Sequence, residues 1–393
     1  MIGKRGNRFS EKIMLKQEAR AKSRFNLNGF RSSVRLFSRP SWRYSAAALT
    51  AAAAVFVIVP ALADKPSTVL DRPTTTIVTA IPIDFDRDKP ERKEFGKLVF
   101  RGGLNLYAKS AHFGGYSAMA LDASGTTLLA VSDAGTWLRA NLDYDGRKLK
   151  GLSDVVLGPI LGADGKPLRD DTQRDSEGMT LIGGDTKQGA AYVSFERKQR
   201  IARYPFTQDS FGPPSGNLPL PPGAKPMSAN RGIEAMAVIR AGKLKGTLVA
   251  FSERLTDKNG NLQGWLIGGP TPGGIALKRL GGFDITDAAA LPDGGMVVLE
   301  RRFRYSEGVQ MRIRRVAASE IKRGALIAGE VLLEANDSLN IDNMEAIAAH
   351  RRASGETVIT LMSDDNFSGL QRTLIMQFTL PEGHPVAAGS GPG

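Results

Sequence analysis

The feature that most constrains this chain is a repeated pair of carboxylates. "DSEGMTLIGGDTKQGAAYVSFER" places Glu177 before Gly-Met and Glu196 before Arg197. "NRGIEAMAVIRAGKLKGTLVAFSER" repeats the arrangement with Glu234 and Glu253, and "DNMEAIAAHRRASGETVITLMSDDN" does so with Glu345 and Asp364. In all three the two acidic residues are 19 apart. Two looser copies join them, with Ser117 and Asp133 in "GGYSAMALDASGTTLLAVSDAG" and Asp287 and Glu300 in "DITDAAALPDGGMVVLERRF". The first positions recur at steps of 53 to 60 residues. Within each copy, apolar runs flank a polar, Gly-rich turn, which is the pattern of an antiparallel strand pair. A period of this length built from strand pairs predicts an all-β β-propeller, each repeat forming one blade.

Five copies are visible, and the ring can be closed in two ways. A sixth blade could form from residues 78–110 with the last strand-like run, "RTLIMQFTL", so five or six blades are both open. Turn signals such as "DYDG", "KNGN" and "PDGG" punctuate residues 96–380, and helical periodicity is scarce, "AASEIKRGA" being its best instance. Residues 64–95 read as a Pro- and Thr-rich linker ending in an early strand. Residues 381–393 have the Pro/Gly/Ser composition of a disordered tail.

The net charge of +13 would suit a nucleic-acid binder, but its location argues otherwise. Residues 1–63 hold 12 Lys/Arg and 2 Asp/Glu, leaving 41 Lys/Arg against 38 Asp/Glu in the remainder. The basic arm runs into the apolar stretch Ser45–Ala63, which ends in Ala61-Leu62-Ala63. That order reads as a secretory signal with a small-residue cleavage site, and export to the periplasm or medium is expected. The basic region is long for a signal, so translation could start downstream, for instance at Met14. An uncleaved anchor in the inner membrane is the alternative, because the apolar stretch is close to the roughly 17-residue minimum for a spanning helix. There is no cysteine, which excludes thiol nucleophiles, thiolate metal sites and a lipoprotein anchor.

In a propeller the innermost strand of every blade lines the central channel. Glu177, Glu234, Asp287 and Glu345 are therefore expected to converge at one mouth. Asp133, Glu196, Glu253, Glu300 and Asp364, at the ends of the following strands, are expected to approach it. Carboxylates crowded in this way raise one another's pKa unless a counter-charge is supplied. Calcium is one candidate, since it accepts six to eight oxygen ligands in irregular geometry. Arginine is the other: Arg197, Arg254 and Arg301 each follow a second-position Glu, and they could pair with a neighbouring blade or hold an anionic ligand. In the acidic turn "MSDDN", Asp365 or Asn366 could add an oxygen ligand. The acidic stretch "DDTQRD" reads as a solvated turn. His112, beside Gly114 and Gly115, is a candidate ligand or acid–base group. No Gly-x-Ser-x-Gly elbow, His-Glu-x-x-His pair, phosphate-cradling loop or dinucleotide glycine pattern occurs.

The ordered succession of these segments over residues 96–380 resembles the bacterial phytase-like domain, a family described as having esterase-like activity. The resemblance implies a β-propeller related to calcium-dependent phytases, in which clustered carboxylates hold Ca²⁺ that binds substrate phosphate and activates water. It marks Asp133, Glu177, Glu234, Glu345 and Asp364 as motif positions, while Ser117 and Asp287 depart from the first-Glu pattern. The expected site is then Glu177, Glu234 and Glu345 for catalysis. Asp133, Glu177, Glu234, Asp287, Glu345 and Asp364 would hold metal. Arg197, Arg254, Arg301 and His112 would bind an anionic small-molecule ester. A monomer is expected, with no nucleic-acid partner and no membrane contact beyond an uncleaved anchor. The rival expectation is a non-catalytic propeller that binds an envelope partner or ligand at its channel mouth.

Overall fold

The computed structural model describes residues 65–184, 186–224 and 232–381. The expected signal or anchor in residues 1–63 and the expected tail beyond residue 381 lie outside these. Among the described residues no helix is long and apolar enough to cross a membrane.

Five blades form the ring, each a twisted sheet ordered from channel to rim. Their innermost strands are Tyr116–Leu121, Ser176–Gly184, Ile233–Val238, Asp284–Ala290 and Asn343–Arg351. Each inner strand packs against those of the two neighbouring blades, and the fifth returns to the first. Strand pairing within the blades is antiparallel, except that Leu326–Ile327 runs parallel to Gly273–Leu277 at the rim of blade 3.

Closure settles the blade number. The last strand, Thr373–Leu380, pairs on one side with Thr357–Asp364 and on the other with Leu98–Ala108, which in turn pairs with Val78–Ile83. N-terminal and C-terminal strands thus share a sheet, but it is the sheet that already contains Asn343–Arg351. They complete the fifth blade, and no sixth is formed among the described residues. Ladder hydrogen bonds between the two ends of the chain hold the ring shut.

Period-2 alternation explains the packing, because successive side chains of a strand face opposite neighbours. On Asn343–Arg351, Met344, Ile347 and Ala349 enter the core shared with blade 4, whereas Ala346 and Ala348 enter the one shared with blade 1. The other three cores lie between blades 1 and 2, 2 and 3, and 3 and 4. The inner strands are rich in Ala because they converge on a narrow axis. At Gly178 the crowding is extreme: a Cβ there would lie 2.2 Å from the main-chain oxygen of Glu234.

Candidate functional site at the channel mouth

Every inner strand carries a β-bulge near its start. In blade 1 the register steps from Tyr116–Ser132 to Ala118–Val131, leaving Ser117 as the extra residue. The same step occurs at Glu177–Gly178 opposite Ser194, and around Glu234, Thr286 and Glu345. A bulge re-aims the side chain it inserts, and here it turns five side chains toward one mouth. Ser117, Glu177, Glu234, Thr286 and Glu345 all line a polar cavity of about 310 Å³.

This register corrects the reading of blade 4. Thr286, rather than Asp287, occupies the bulge. Asp287 is fully buried, and its oxygens accept from the N–H groups of Ala288 (2.8 Å) and of Ile347 in blade 5 (2.9 Å). It stitches two blades together and does not line the cavity. The second position shifts as well. Ser132, Ser252 and Ser363 pair with the residue before the bulge, so Asp133, Glu253 and Asp364 come next and face the mouth. In blade 4 the residue at the serine position is Glu300 and the one facing the mouth is Arg301. Glu300 is fully buried and bonds to Arg314 Nη2 at 2.5 Å, with Arg312 at 3.7 Å.

The cavity is lined by eight carboxylates, those of Asp133, Asp175, Glu177, Glu196, Glu234, Glu253, Glu345 and Asp364, and by four cations, Lys65, Arg197, Arg254 and Arg301. Fully ionised, the site would carry four uncompensated negative charges. Arg197 Nε contacts Asp175 at 2.7 Å, Arg254 contacts Glu253 at 2.8 Å, and Arg301 reaches Glu345 in blade 5 at 3.1 Å. Lys65 bonds to Asp175 at 2.6 Å and Asp133 at 3.0 Å. Arg254 Nε also holds Asp284 of blade 4 at 3.1 Å. The arginines are therefore partly committed to carboxylates of their own and neighbouring blades.

Burial and mutual repulsion set the proton affinities. Burial pushes the carboxyls of Glu177, Glu234 and Asp364 well above the ordinary range, and neighbouring carboxylates add to it. On Glu234, burial is joined by the charges of Glu253, Glu196 and Glu345 and opposed by Arg301. Burial raises Glu253 to about 7 although Arg254 and Arg301 oppose it. Glu345 and Glu196 are raised by burial too, the first opposed by Arg301 and the second by the N–H of Gly232. Glu234 is 9% exposed and lines the cavity, and its carboxylate has no hydrogen bond or ion pair with any described residue. Such a group calls for a cation or a proton.

The donor set suits a hard cation. Asp175, Glu177 and Glu196, all in blade 2, offer carboxylate oxygens within 4.8 Å of one another. Asp175 immediately precedes the inner strand and Glu196 follows its partner, so the Glu196 N–H donates to the Asp175 carbonyl at 2.9 Å. Oxygen-only ligands favour Ca²⁺ or Mg²⁺ over metals that prefer nitrogen or sulfur. Two cavity residues adopt left-handed backbone, Arg197 (φ 48°) and Asn366 (φ 49°), and strain of this kind clusters at functional sites.

Of the residues expected from sequence, Asp133, Glu177, Glu234, Glu345, Asp364, Arg197, Arg254 and Arg301 meet in this cavity, and Asn366 joins them. Asp287 and His112 do not line it. His112 sits in the loop ahead of the first inner strand, where burial and Arg174 lower its pKa. Asp365 accepts from Gly115 N, Phe367 N and Thr373 Oγ1, which ties the loop together. Sequence reasoning missed Asp175 and Lys65 as site residues. Asp175 ends "DDTQRD" and stands two before Glu177, a spacing that deserved notice. Lys65 gave no signal, because nothing local shows where the linker runs.

The sequence profile of the family described as "Phytase-like: Esterase-like activity of phytase" matches residues 111–367. No curated protein matches the chain.

Proposed function

The chain belongs to the phytase-like family, and we propose that it hydrolyses phosphate esters, or related anionic esters, at the acidic mouth with the help of a hard divalent cation such as calcium. The observation that carries this reading is the convergence of eight carboxylates and four cations on one small cavity. Asp175, Glu177 and Glu196 would hold the cation, with Glu234, whose charge acts on Glu177, lining the same cavity. When bound, a cation supplies Lewis-acid polarisation of the ester and charge stabilisation of its transition state.

The remaining roles fall to side chains. Arg197, Arg254 and Arg301 each keep guanidinium N–H groups beyond those in their ion pairs, and these can orient the anionic oxygens of the ester. Glu253, with a pKa raised to about 7, can accept a proton from water and return one to the leaving oxygen near neutral pH. Export, or anchoring, through Ser45–Ala63 belongs to the same proposal. N-terminal sequencing of the protein recovered from the cell envelope would test it.

The interblade pair Arg301–Glu345 favours a second reading, in which the charges only join blades and the mouth binds a ligand without chemistry. Phosphate release from phytate and simple phosphomonoesters, with Ca²⁺ added or chelated, separates the two. The hydrolase reading expects calcium-dependent release that Glu177→Gln and Glu345→Gln abolish. Absence of release with every ester tried, phosphate or carboxylic, would leave the binding propeller.

A further inference from the structure

Lys65 enters the mouth from outside the repeats. It lies on a strap that crosses to the rim of blade 1, where Thr74 and Thr75 pair with Leu157 and Val156. The strap is held next to Lys65 and again further on: Pro66 is buried, its carbonyl accepts from Arg174 Nη2 at 3.4 Å, and Leu70 packs on the core between blades 5 and 1. The Lys65 ammonium is thereby fixed in place.

Three oxygens surround that ammonium: Asp175 Oδ1 at 2.6 Å, Asp133 Oδ2 at 3.0 Å and the Asp133 carbonyl at 3.3 Å. Asp133 Oδ1 is buried beside them without a hydrogen-bond partner. Carboxylates and a main-chain carbonyl make up the ligand chemistry of a calcium site, contracted by a few tenths of an ångström. Asp175, whose other oxygen meets Arg197 Nε at 2.7 Å, also belongs to the cluster with Glu177 and Glu196. The mouth therefore has two adjoining cation positions that share Asp175, one of them filled by a side chain.

We propose that Lys65 is a resident cation standing where a divalent ion would otherwise bind, so that it limits how many metal ions the mouth takes. The inference rests on the cation-binding part of the function proposed above. With Lys65 present, the position between Asp133 and Asp175 already holds one positive charge, and a second cation there would meet direct repulsion. Without it, Asp133 and Asp175, both now held by the Lys65 ammonium, would be left without the cation between them. The strap thus restricts the metal to the Asp175–Glu177–Glu196 side.

The test is a calorimetric titration of CaCl₂ into the metal-stripped full chain, comparing wild type with Lys65→Met and Lys65→Arg. Lys65→Met should bind one more Ca²⁺ per chain than wild type, whereas Lys65→Arg, which keeps the charge, should match wild type. Identical stoichiometry and affinity in wild type and Lys65→Met would overturn the inference, as would the absence of Ca²⁺ binding in both. Should Lys65→Met fold only when Ca²⁺ is supplied, the metal has replaced the ammonium and the inference stands. Should it fail to fold with or without Ca²⁺, the ammonium is not replaceable and the inference falls. A wild type that binds Ca²⁺ but hydrolyses no ester would sink the hydrolase reading alone.

Discussion

Glu300→Gln tests the register of blade 4. Charge matching along the sequence puts Glu300 among the mouth carboxylates, but the strand pairing turns it away to Arg314, with both side chains fully buried. Arg314 also donates to the carbonyls of Lys278 at 3.0 Å and Ala328 at 2.6 Å, so its position is over-determined. Neutralising Glu300 leaves a buried guanidinium without its counter-ion. Breaking a buried pair on one side costs about 3–5 kcal/mol. Arg314 keeps its two carbonyl partners, which argues for the lower end of that range. At about 1.5 °C per kcal/mol for a domain of roughly 300 residues, the melting temperature should fall by about 5 °C. Calcium affinity and ester turnover, measured well below the transition, should be unchanged because Glu300 does not reach the cavity. Thermal melting by circular dichroism and calcium calorimetry on the same preparation decide the matter. An unchanged melting temperature together with lost calcium binding would refute the register and return Glu300 to the site.

The raised carboxyl pKa values make stability depend on pH in an unusual direction. Glu253, with a pKa lifted to about 7, stays protonated in the folded chain where the unfolded chain has ionised, so its contribution is intact below about pH 4.5 and is lost as pH rises through 7. Glu177, Glu234 and Asp364 shift the same way. In chelator the melting temperature should therefore decline from mildly acidic to neutral pH, and millimolar Ca²⁺ should remove most of that decline; a curve rising toward neutrality in chelator would contradict the crowding. Gly178→Ala places a Cβ 2.2 Å from the Glu234 main-chain oxygen and 2.7 Å from Ser194 Oγ. Overpacking of this kind costs about 1–3 kcal/mol. Because Glu177 is the adjacent residue, calcium affinity should weaken along with the melting temperature, and a variant that melts and binds like wild type would show the inner strands to be less tightly apposed.

Much of this architecture is legible in the sequence because it rests on local rules. Strand pairs with turns between them, repeated five times, specify blades wherever they lie. Residues 78–110 are expected beside the last strand, and Leu98–Ala108 does pair with Thr373–Leu380. Nothing local shows, however, that the same sheet also takes in Asn343–Arg351 and Thr357–Asp364, which makes it the fifth blade and not a sixth. Blade 4 misled for a different reason. "ITDA" and "IEAM" align by apolar pattern with Thr286 against Glu234, but aligning acidic residue to acidic residue selects Asp287. A one-residue slip moves a side chain to the opposite face of the sheet, and Asp287 and Glu300 both fell on the wrong side through that slip. Lys65 was hidden because no periodicity governs a strap.

The departures from the repeat are what could make the mouth more than an ion trap. Five blades each supplying Glu at the bulge and a carboxylate at the following position would present an acidic ring with no place for an anionic ester. Blade 2 exceeds the pattern, with Asp175, Glu177 and Glu196 gathered around one point. Blade 4 inverts it, offering Thr286 and Arg301 to the cavity where blade 3 offers Glu234 and Glu253, while blade 1 offers Ser117 at the bulge. Blades 2 and 4 are not neighbours in the ring, so the acidic cluster and the blade lacking cavity carboxylates belong to different sectors of the mouth. Under the proposed function, a cation held in one sector and a guanidinium supplied by another would give an anionic group two positive anchors, with Glu253 of blade 3, its carboxyl pKa raised by burial to about 7, in the sector between them. On that reading, imperfect repetition is what would admit an anionic ester, and blade 4, which departs from the first-Glu pattern, would contribute Arg301 alongside Arg197 and Arg254.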